Sequence, residues 1–124
     1  MASGIIAKKM TKERRVAPRV AERVILSLQG PQTTLEAESR NLSASGVYCF
    51  TSQLIAPMTK LALEFTLPLP KPARIECTGV VVRVEPVIAN AATTGYHLAI
   101  FFSDLTDRQR TAIQQFVRQR LAAS

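Results

Sequence analysis

Apolar and polar residues alternate in parts of this chain, which is the pattern of β-strands with one buried face. In TKLALEFTLPLP, every second residue from Leu61 to Leu67 is leucine or phenylalanine. Five other stretches have strand composition, namely AERVILSLQG, TTLEAESRNL, GVYCFTS, IECTGVVVRVEPV and TGYHLAIFF. Gly79, inside the longest of them, predicts a bulge or a bend. Six short strands separated by turn signals predict an antiparallel barrel or sandwich, with the barrel at about residues 20–103.

The period of the pattern changes near the C-terminus, at about residues 105–122. Thr106 and Gln109 have the spacing of a capping box, which marks the start of a helix. Arg118 and Arg120 follow in the last turns, where the helix dipole favours cations. Apolar residues recur there at helical spacing, at Ile113, Phe116, Val117 and Leu121. The sequence therefore predicts one amphipathic helix that packs on the β-structure.

The composition limits the class of protein. With 124 residues, 47% hydrophobic and 20% charged, the chain has the size and content of one globular domain. Its apolar runs are shorter than the roughly 20 residues of a membrane span, and no secretory signal is recognisable. Cys49 and Cys77 lie in apolar runs, so we expect buried free thiols in a protein of the reducing cytoplasm. With a single histidine, no metal site and no cofactor are expected.

The net charge of +7 is concentrated at the N-terminus. Residues 1–23 contain seven basic and two acidic residues, so most of the excess lies in this part of the chain. We expect residues 1–12 to form a flexible basic arm before a single domain at residues 13–124. Localised positive charge favours a phosphate-bearing partner, although a solvated tail is the alternative.

The segment ERRVAPRV, from Glu13 to Val20, places three arginines around a proline. Pro18 disfavours helical backbone at itself and at the preceding residue, so the segment is expected to be extended or turned. Arg15 and Arg19 can then approach a ligand from different directions. Guanidinium groups bind phosphate bidentately, bind the O6/N7 edge of guanine, and stack on flat rings.

The segment NLSASG is predicted to be a turn between two strands. Asn41 and Ser43 have short polar side chains that can contact a ligand or cap the turn. Gly46 allows positive φ or a close backbone approach. Alone this motif is weak, and its significance comes from following the arginine segment, where a barrel could bring the two together.

With these two motifs, CTGVVVRV, TGYHLAIFF and the C-terminal helix in this order, the chain resembles the PilZ domain family over about residues 13–121. The resemblance implies a six-stranded antiparallel β-barrel with a C-terminal helix. It also implies a receptor for cyclic di-GMP, a bacterial second messenger. The ligand-binding residues implied by position are Arg14, Arg15, Arg19, Asn41, Ser43 and Gly46.

The resemblance assigns a role to each part of these motifs. Arg15 and Arg19 would hold phosphates and guanine, with Arg14 contributing beside them, and Ser43 would contact phosphate or ribose. Gly46 would keep the barrel wall clear beneath the ligand. Asn41 departs from the aspartate most frequent in the family, and its amide offers one acceptor to guanine where a carboxylate offers two. The difference could weaken binding without removing it.

The resemblance also implies partners. A ligand-switched adaptor would act through a downstream protein, which the sequence does not identify, and it leaves a homodimer open. A ligand-independent interaction module is one alternative. A basic nucleic-acid-binding barrel is disfavoured, because such barrels present aromatic stacking platforms and most aromatic residues here lie in apolar contexts. An enzyme is not expected, since His97 lies within a predicted strand and the chain lacks a phosphate-binding loop or a nucleophile elbow.

Overall fold

The computed structural model of the protein describes residues 20–123. Its elements are β1 (Ile25–Gln29), β2 (Thr34–Leu42), β3 (Gly46–Thr51), β4 (Lys60–Leu67), β5 (Ala73–Ala89), β6 (Ala92–Phe102) and α1 (Asp107–Ala123). The strands close into an antiparallel barrel in the order β1-β2-β3-β6-β5-β4. This confirms the predicted six-stranded antiparallel barrel with a C-terminal helix. The division at residue 12 stays a prediction, because it lies outside the described residues.

The predicted alternation in β4 is confirmed. Its burial pattern places alternate side chains inside the barrel, and the buried ones are Leu61, Leu63, Phe65 and Leu67. Leucines of β1 and aliphatic residues of β5 and β6 pack against them in one continuous core. The barrel interior is therefore filled with side chains, and a ligand must bind at its outer surface or at its ends.

Helix α1 covers the end of the barrel that contains the β2–β3 turn. The predicted capping box is present: the Gln109 N–H donates to Thr106 Oγ1 at 3.1 Å, and the Thr106 N–H donates to Gln109 Oε1 at 2.9 Å. Three of the four predicted core residues of the helix are buried, namely Ile113, Phe116 and Val117. The prediction for Leu121 is wrong. Its side chain is 47% exposed, because the last turn extends past the core.

Gly79 is predicted to mark either a bulge or a bend where the barrel closes; the bulge is absent, and the bend stays a prediction. Gly79 pairs regularly with Leu61 on one side and Phe102 on the other. A Cβ there would lie 2.5 Å from Ile100 Cγ2 and 2.6 Å from Leu63 Cδ1, so this glycine makes room for the core. Register shifts occur instead at three other places, between Ser39 and Asn41, between Val81 and Arg83, and between Val87 and Ile88.

The turn between β5 and β6 provides a test of backbone strain. Asn90 and Ala91 have φ angles of 53° and 63°, and Ala89 pairs with Ala92 across them. Two consecutive positive φ values define a type I′ turn, which prefers glycine at its second position. Because an L-residue with left-handed backbone is destabilised by roughly 1–2 kcal/mol, Ala91→Gly should stabilise the protein by about 0.5–1 kcal/mol after the entropy of glycine is included. Urea denaturation measures this effect. The control Ala92→Gly, within β6, should destabilise the protein. A lower urea midpoint for Ala91→Gly than for the wild type would contradict the inferred backbone strain at Ala91.

The two cysteines are free and buried, as predicted. Burial raises the thiol pKa from 9.0 to about 12 for Cys49 and to about 11 for Cys77.

Ellman's reagent at pH 8 should therefore react slowly with the native protein. It should react with both thiols once the protein is unfolded in guanidinium. The raised pKa also predicts that the contribution of the two thiols to folding stability is constant below about pH 9 and is lost as the pH rises toward 11–12, because the unfolded chain releases the thiol protons first. Rapid reaction of both thiols in the native protein would contradict this burial.

Candidate functional site

The β2–β3 turn holds the motif NLSASG at one end of the barrel. The Ser43 N–H donates to the Gly46 carbonyl oxygen at 3.0 Å, and the Ser45 N–H donates to Ser43 Oγ at 3.2 Å. The two hydroxyl oxygens of Ser43 and Ser45 lie 2.9 Å apart. Because the Ser43 hydroxyl accepts the hydrogen bond from Ser45, it caps the turn in this structure. Ser43 is only 1% exposed. Its contact with phosphate or ribose stays a prediction.

Gly46 is required by the close approach of β3 to β6. A Cβ at this position would lie 2.3 Å from the Ile100 carbonyl oxygen and 3.3 Å from Phe101 Cα. Any larger residue would push the two strands apart, because backbone atoms cannot move aside as a flexible side chain can. Gly46 is predicted to allow either a positive φ or a close backbone approach, and the structure contains the close backbone approach.

Asn41 lies at a bulge in β2, where Arg40 is the extra residue and Asn41 pairs with Tyr48. Its Oδ1 is buried and has no hydrogen-bond partner among residues 20–123. A buried hydrogen-bond acceptor without a donor destabilises the folded protein by roughly 1–3 kcal/mol. This oxygen can therefore accept a hydrogen bond from a ligand N–H group that reaches the bulge.

The turn is fixed from two directions. The Phe102 N–H of β6 donates to the Ser45 carbonyl oxygen at 3.1 Å. Arg110 of α1 donates from Nη1 to the Ala44 carbonyl oxygen at 3.2 Å. Nothing in the local sequence distinguishes Arg110 from the other arginines of the helix, so this contact is not predictable from the sequence. The motif therefore has a fixed backbone on which ligand contacts can be arranged.

The segment that follows the predicted arginine motif is attached to β2 beside this turn. Val20 and Leu42 exchange two backbone hydrogen bonds of 3.0 and 2.9 Å. Ser39, fully buried, accepts a hydrogen bond from the Val24 N–H at 2.7 Å and donates one to the Glu22 carbonyl oxygen at 2.8 Å. Residues 20–24 are thereby held next to Asn41.

The structure thus brings together three of the predicted site residues, Asn41, Ser43 and Gly46, within one turn. The other three, Arg14, Arg15 and Arg19, lie outside the described residues, so their position relative to the turn stays a prediction.

Two arginines beside the turn share one carboxylate. Arg40 donates a hydrogen bond to Glu38, and Arg23 Nε lies 3.3 Å from Glu38 Oε1. The hydrogen bond from Arg40 holds the pKa of Glu38 below its usual value. The Arg40 guanidinium also lies 5.3 Å from the ring centroid of Phe50. Because Glu38 pairs with both arginines, each guanidinium already has an anionic partner on the outer surface of the barrel.

His97 is half-buried in strand β6, as predicted. Its ring centroid lies 5.0 Å from that of Tyr48 and 5.9 Å from that of Phe50. These ring contacts give His97 a packing role in the outer wall. Among residues 20–123, no group of three or more His, Cys, Asp or Glu residues could hold a metal ion.

Comparison with known proteins identifies the family. The PilZ domain family model matches residues 13–119, so the chain belongs to the PilZ domain family. This confirms the resemblance found in the sequence. PilZ domains are receptors and adaptors for cyclic di-GMP and not enzymes, which confirms the expectation that the chain is not an enzyme. Comparison with curated protein sequences gives no match.

Several solved structures have the same fold. The Bacillus subtilis inhibitor of motility MotI/DgrA has a TM-score of 0.80 at 20% identity, covering 91% of this chain and 54% of its own. The PilZ domain of Escherichia coli YcgR with c-di-GMP has a TM-score of 0.68 at 15% identity, covering 89% and 95%. The K. pneumonia MrkH–c-di-GMP complex has 0.67 at 14% identity, covering 90% and 54%. The chain therefore spans about half the length of MotI/DgrA and MrkH, and these identities show the fold alone.

No helix within residues 20–123 is long and apolar enough to cross a membrane.

Ser39 allows the attachment of residues 20–24 to be tested. Ser39→Ala removes both side-chain hydrogen bonds and leaves the Val24 N–H and the Glu22 carbonyl without these partners. Because buried unpaired groups are costly, we expect a loss of about 1–3 kcal/mol in the free energy of unfolding. Denaturant melts measure the change, with Ser52→Ala in the exposed β3–β4 loop as the control. Equal stability of the two variants would show that the hydrogen bonds of Ser39 contribute nothing.

Proposed function

We propose that this chain is a cyclic di-GMP receptor that binds the nucleotide between its arginine segment (residues 13–20) and the NLSASG turn. Membership of the PilZ family and the likeness in fold to c-di-GMP complexes of YcgR and MrkH support this function. Ligand binding is the activity, and the chain performs no reaction of its own.

The single observation that carries the proposal is the pairing of Val20 with Leu42. Arg19 immediately precedes Val20 in the sequence, and consecutive Cα atoms are about 3.8 Å apart. Leu42 lies between Asn41 and Ser43. This pairing supports a site in which the arginine segment reaches the NLSASG turn.

The chemistry of the two motifs is complementary to the ligand. Cyclic di-GMP has two phosphate charges and two guanine bases. Arg15 and Arg19 supply bidentate donors for phosphate oxygens or for the O6/N7 edge of guanine. Asn41 Oδ1, buried without a described partner, supplies an acceptor for a guanine N–H. The arginine segment would thus contribute donors, and the turn an acceptor, to one ligand.

Ligand binding would also change the surface. The arginines of residues 14–19 repel one another, and a doubly charged ligand replaces that repulsion with charge-assisted hydrogen bonds. The segment would then lie across the ligand on the barrel wall, where a downstream protein can recognise the combined surface. The chain would act as a ligand-switched adaptor, with the partner contacting residues on both sides of the ligand.

Isothermal titration with cyclic di-GMP tests the proposal. The wild-type protein should bind the ligand, and Arg15→Ala or Arg19→Ala should weaken binding by at least about tenfold to a hundredfold, since a hydrogen bond to a charged group contributes roughly 1.5–3 kcal/mol. The apo melting temperature should hardly change. Arg118→Ala, at an exposed position of α1, is the matched control and should bind as the wild type does.

Absence of binding heat with tens of micromolar wild-type protein would refute the proposal. Binding to random oligonucleotides that weakens steeply with salt and does not respond to cyclic di-GMP would instead indicate a nucleic-acid-binding barrel.

A further inference from the structure

A row of four paired residues crosses the barrel wall beside the candidate site. Asn41 of β2 pairs with Tyr48 of β3, Tyr48 pairs with Ala99 of β6, and Ala99 pairs with Arg83 of β5. Neighbouring strands are about 4.8 Å apart, so the row spans about 14 Å from Asn41 to Arg83. The candidate site is therefore continuous with a surface on β3, β5 and β6.

Both ends of this row lie at bulges. The β2 bulge precedes Asn41, and in β5 the extra residue is Val82, immediately before Arg83. Strict alternation would bury one of two consecutive residues, yet Val82 and Arg83 are both exposed. Bulges commonly redirect side chains next to binding sites. Here the β5 bulge adds an apolar and a cationic side chain to the same outer surface.

Between these bulges lies a slot with small residues at its base and aromatic residues at its sides. Gly46 and Ala99 form the base, and Tyr48 and Phe101 line the sides. Phe101 is 53% exposed and Val82 54%, although both are large apolar residues. Because Tyr48 pairs with Ala99, Phe101 is its diagonal neighbour, at roughly 7–8 Å. This is the spacing of the two backbone positions, and a planar ring in van der Waals contact with both side chains needs their rings about 7–8 Å apart.

The Tyr48 side of the slot is held in place by its neighbours. The Tyr48 hydroxyl donates a hydrogen bond to Glu85 Oε1 at 2.7 Å. This hydrogen bond, together with burial, raises the pKa of Tyr48 above its ordinary value, so the hydroxyl remains protonated as the donor at neutral pH. The His97 ring packs against Tyr48 with a centroid distance of 5.0 Å. The ring thus has little freedom to lose when a ligand stacks on it.

The opposite rim of the slot supplies a cation. Arg83 Nε lies 3.7 Å from Glu85 Oε2, and the Arg83 side chain is 65% exposed. Exposed ion pairs of this kind contribute little to stability. The guanidinium can therefore turn toward a ligand, and its planar donors match the O6 and N7 acceptors of guanine.

We propose that this slot binds one guanine base of cyclic di-GMP, stacked between Tyr48 and Phe101 with its O6/N7 edge toward Arg83. This inference rests on the proposed function and extends it to residues outside the two sequence motifs. A guanine base fits the slot because it is flat, has two apolar faces and carries hydrogen-bond acceptors along one edge. The row from Asn41 connects the slot to the site of the rest of the ligand.

Titration of slot variants with cyclic di-GMP tests this inference. Phe101→Ala and Tyr48→Ala should each lower the affinity by about tenfold to a hundredfold, the range expected for loss of one aromatic stacking partner. Phe101→Tyr should bind like the wild type, whereas Phe101→Leu, which keeps apolar area without a ring, should be weakened. Ile88→Ala, at a 64% exposed position on the β5–β6 hairpin, is the matched control and should leave binding unchanged.

A second measurement does not depend on affinity. In the wild-type protein, the Ala99 methyl resonance should move upfield on saturation with cyclic di-GMP, because the methyl group lies under the stacked base. The apo melting temperature of every variant checks that the barrel remains folded.

The outcomes separate the two proposals. If the wild type binds and Arg15→Ala does not, but Phe101→Ala and Tyr48→Ala bind as Ile88→Ala does, the slot is overturned and the receptor function stands. An unchanged Ala99 methyl resonance at saturation would also overturn the slot. If the wild type does not bind cyclic di-GMP, both proposals fail together.

Discussion

Closure of the barrel by β1 is the constraint on which the other features depend. This strand has only five residues, yet it pairs with β2 on one side and with β4 on the other. Leu26 and Leu28 point from it into the core and are fully buried. Without this strand, β2 and β4 would have open edges and the core would be exposed on one side. Closure makes the wall a fixed surface, so cross-strand rows of side chains keep their positions.

The candidate site uses that fixed wall in two ways. The turn at Ser43 and Gly46 is built into the strand ends and is supported by hydrogen bonds from β6 and from Arg110 of α1. Residues 20–24 are attached from outside, through Val20 and the buried hydroxyl of Ser39. A rigid turn and an attached segment therefore meet at Leu42.

Local patterns predicted the regular elements well and the irregular ones poorly. Strand composition and alternation identified the strands, and the Thr106 and Gln109 pair identified the helix start, because these signals depend on residues close in sequence. Gly79 suggested a bulge, but glycine is required there because the core side chains of Ile100 and Leu63 leave no room for a Cβ atom. Leu121 has helical spacing but its side chain is 47% exposed, so helical spacing alone does not fix burial. For Gly79 the deciding contacts come from residues distant in sequence.

The sequence by itself determined the number of strands, the C-terminal helix, the buried face of β4 and the two motifs, since propensity and periodicity are local properties. Only the tertiary structure decided that Val20 lies against Leu42, that Ser39 holds residues 20–24, and that Tyr48 and Phe101 flank one slot. Those relations depend on strand order and register, which place β3 beside β6 although about 50 residues separate them. Register is set by the collective packing of the closed core, and no short stretch of sequence contains that information.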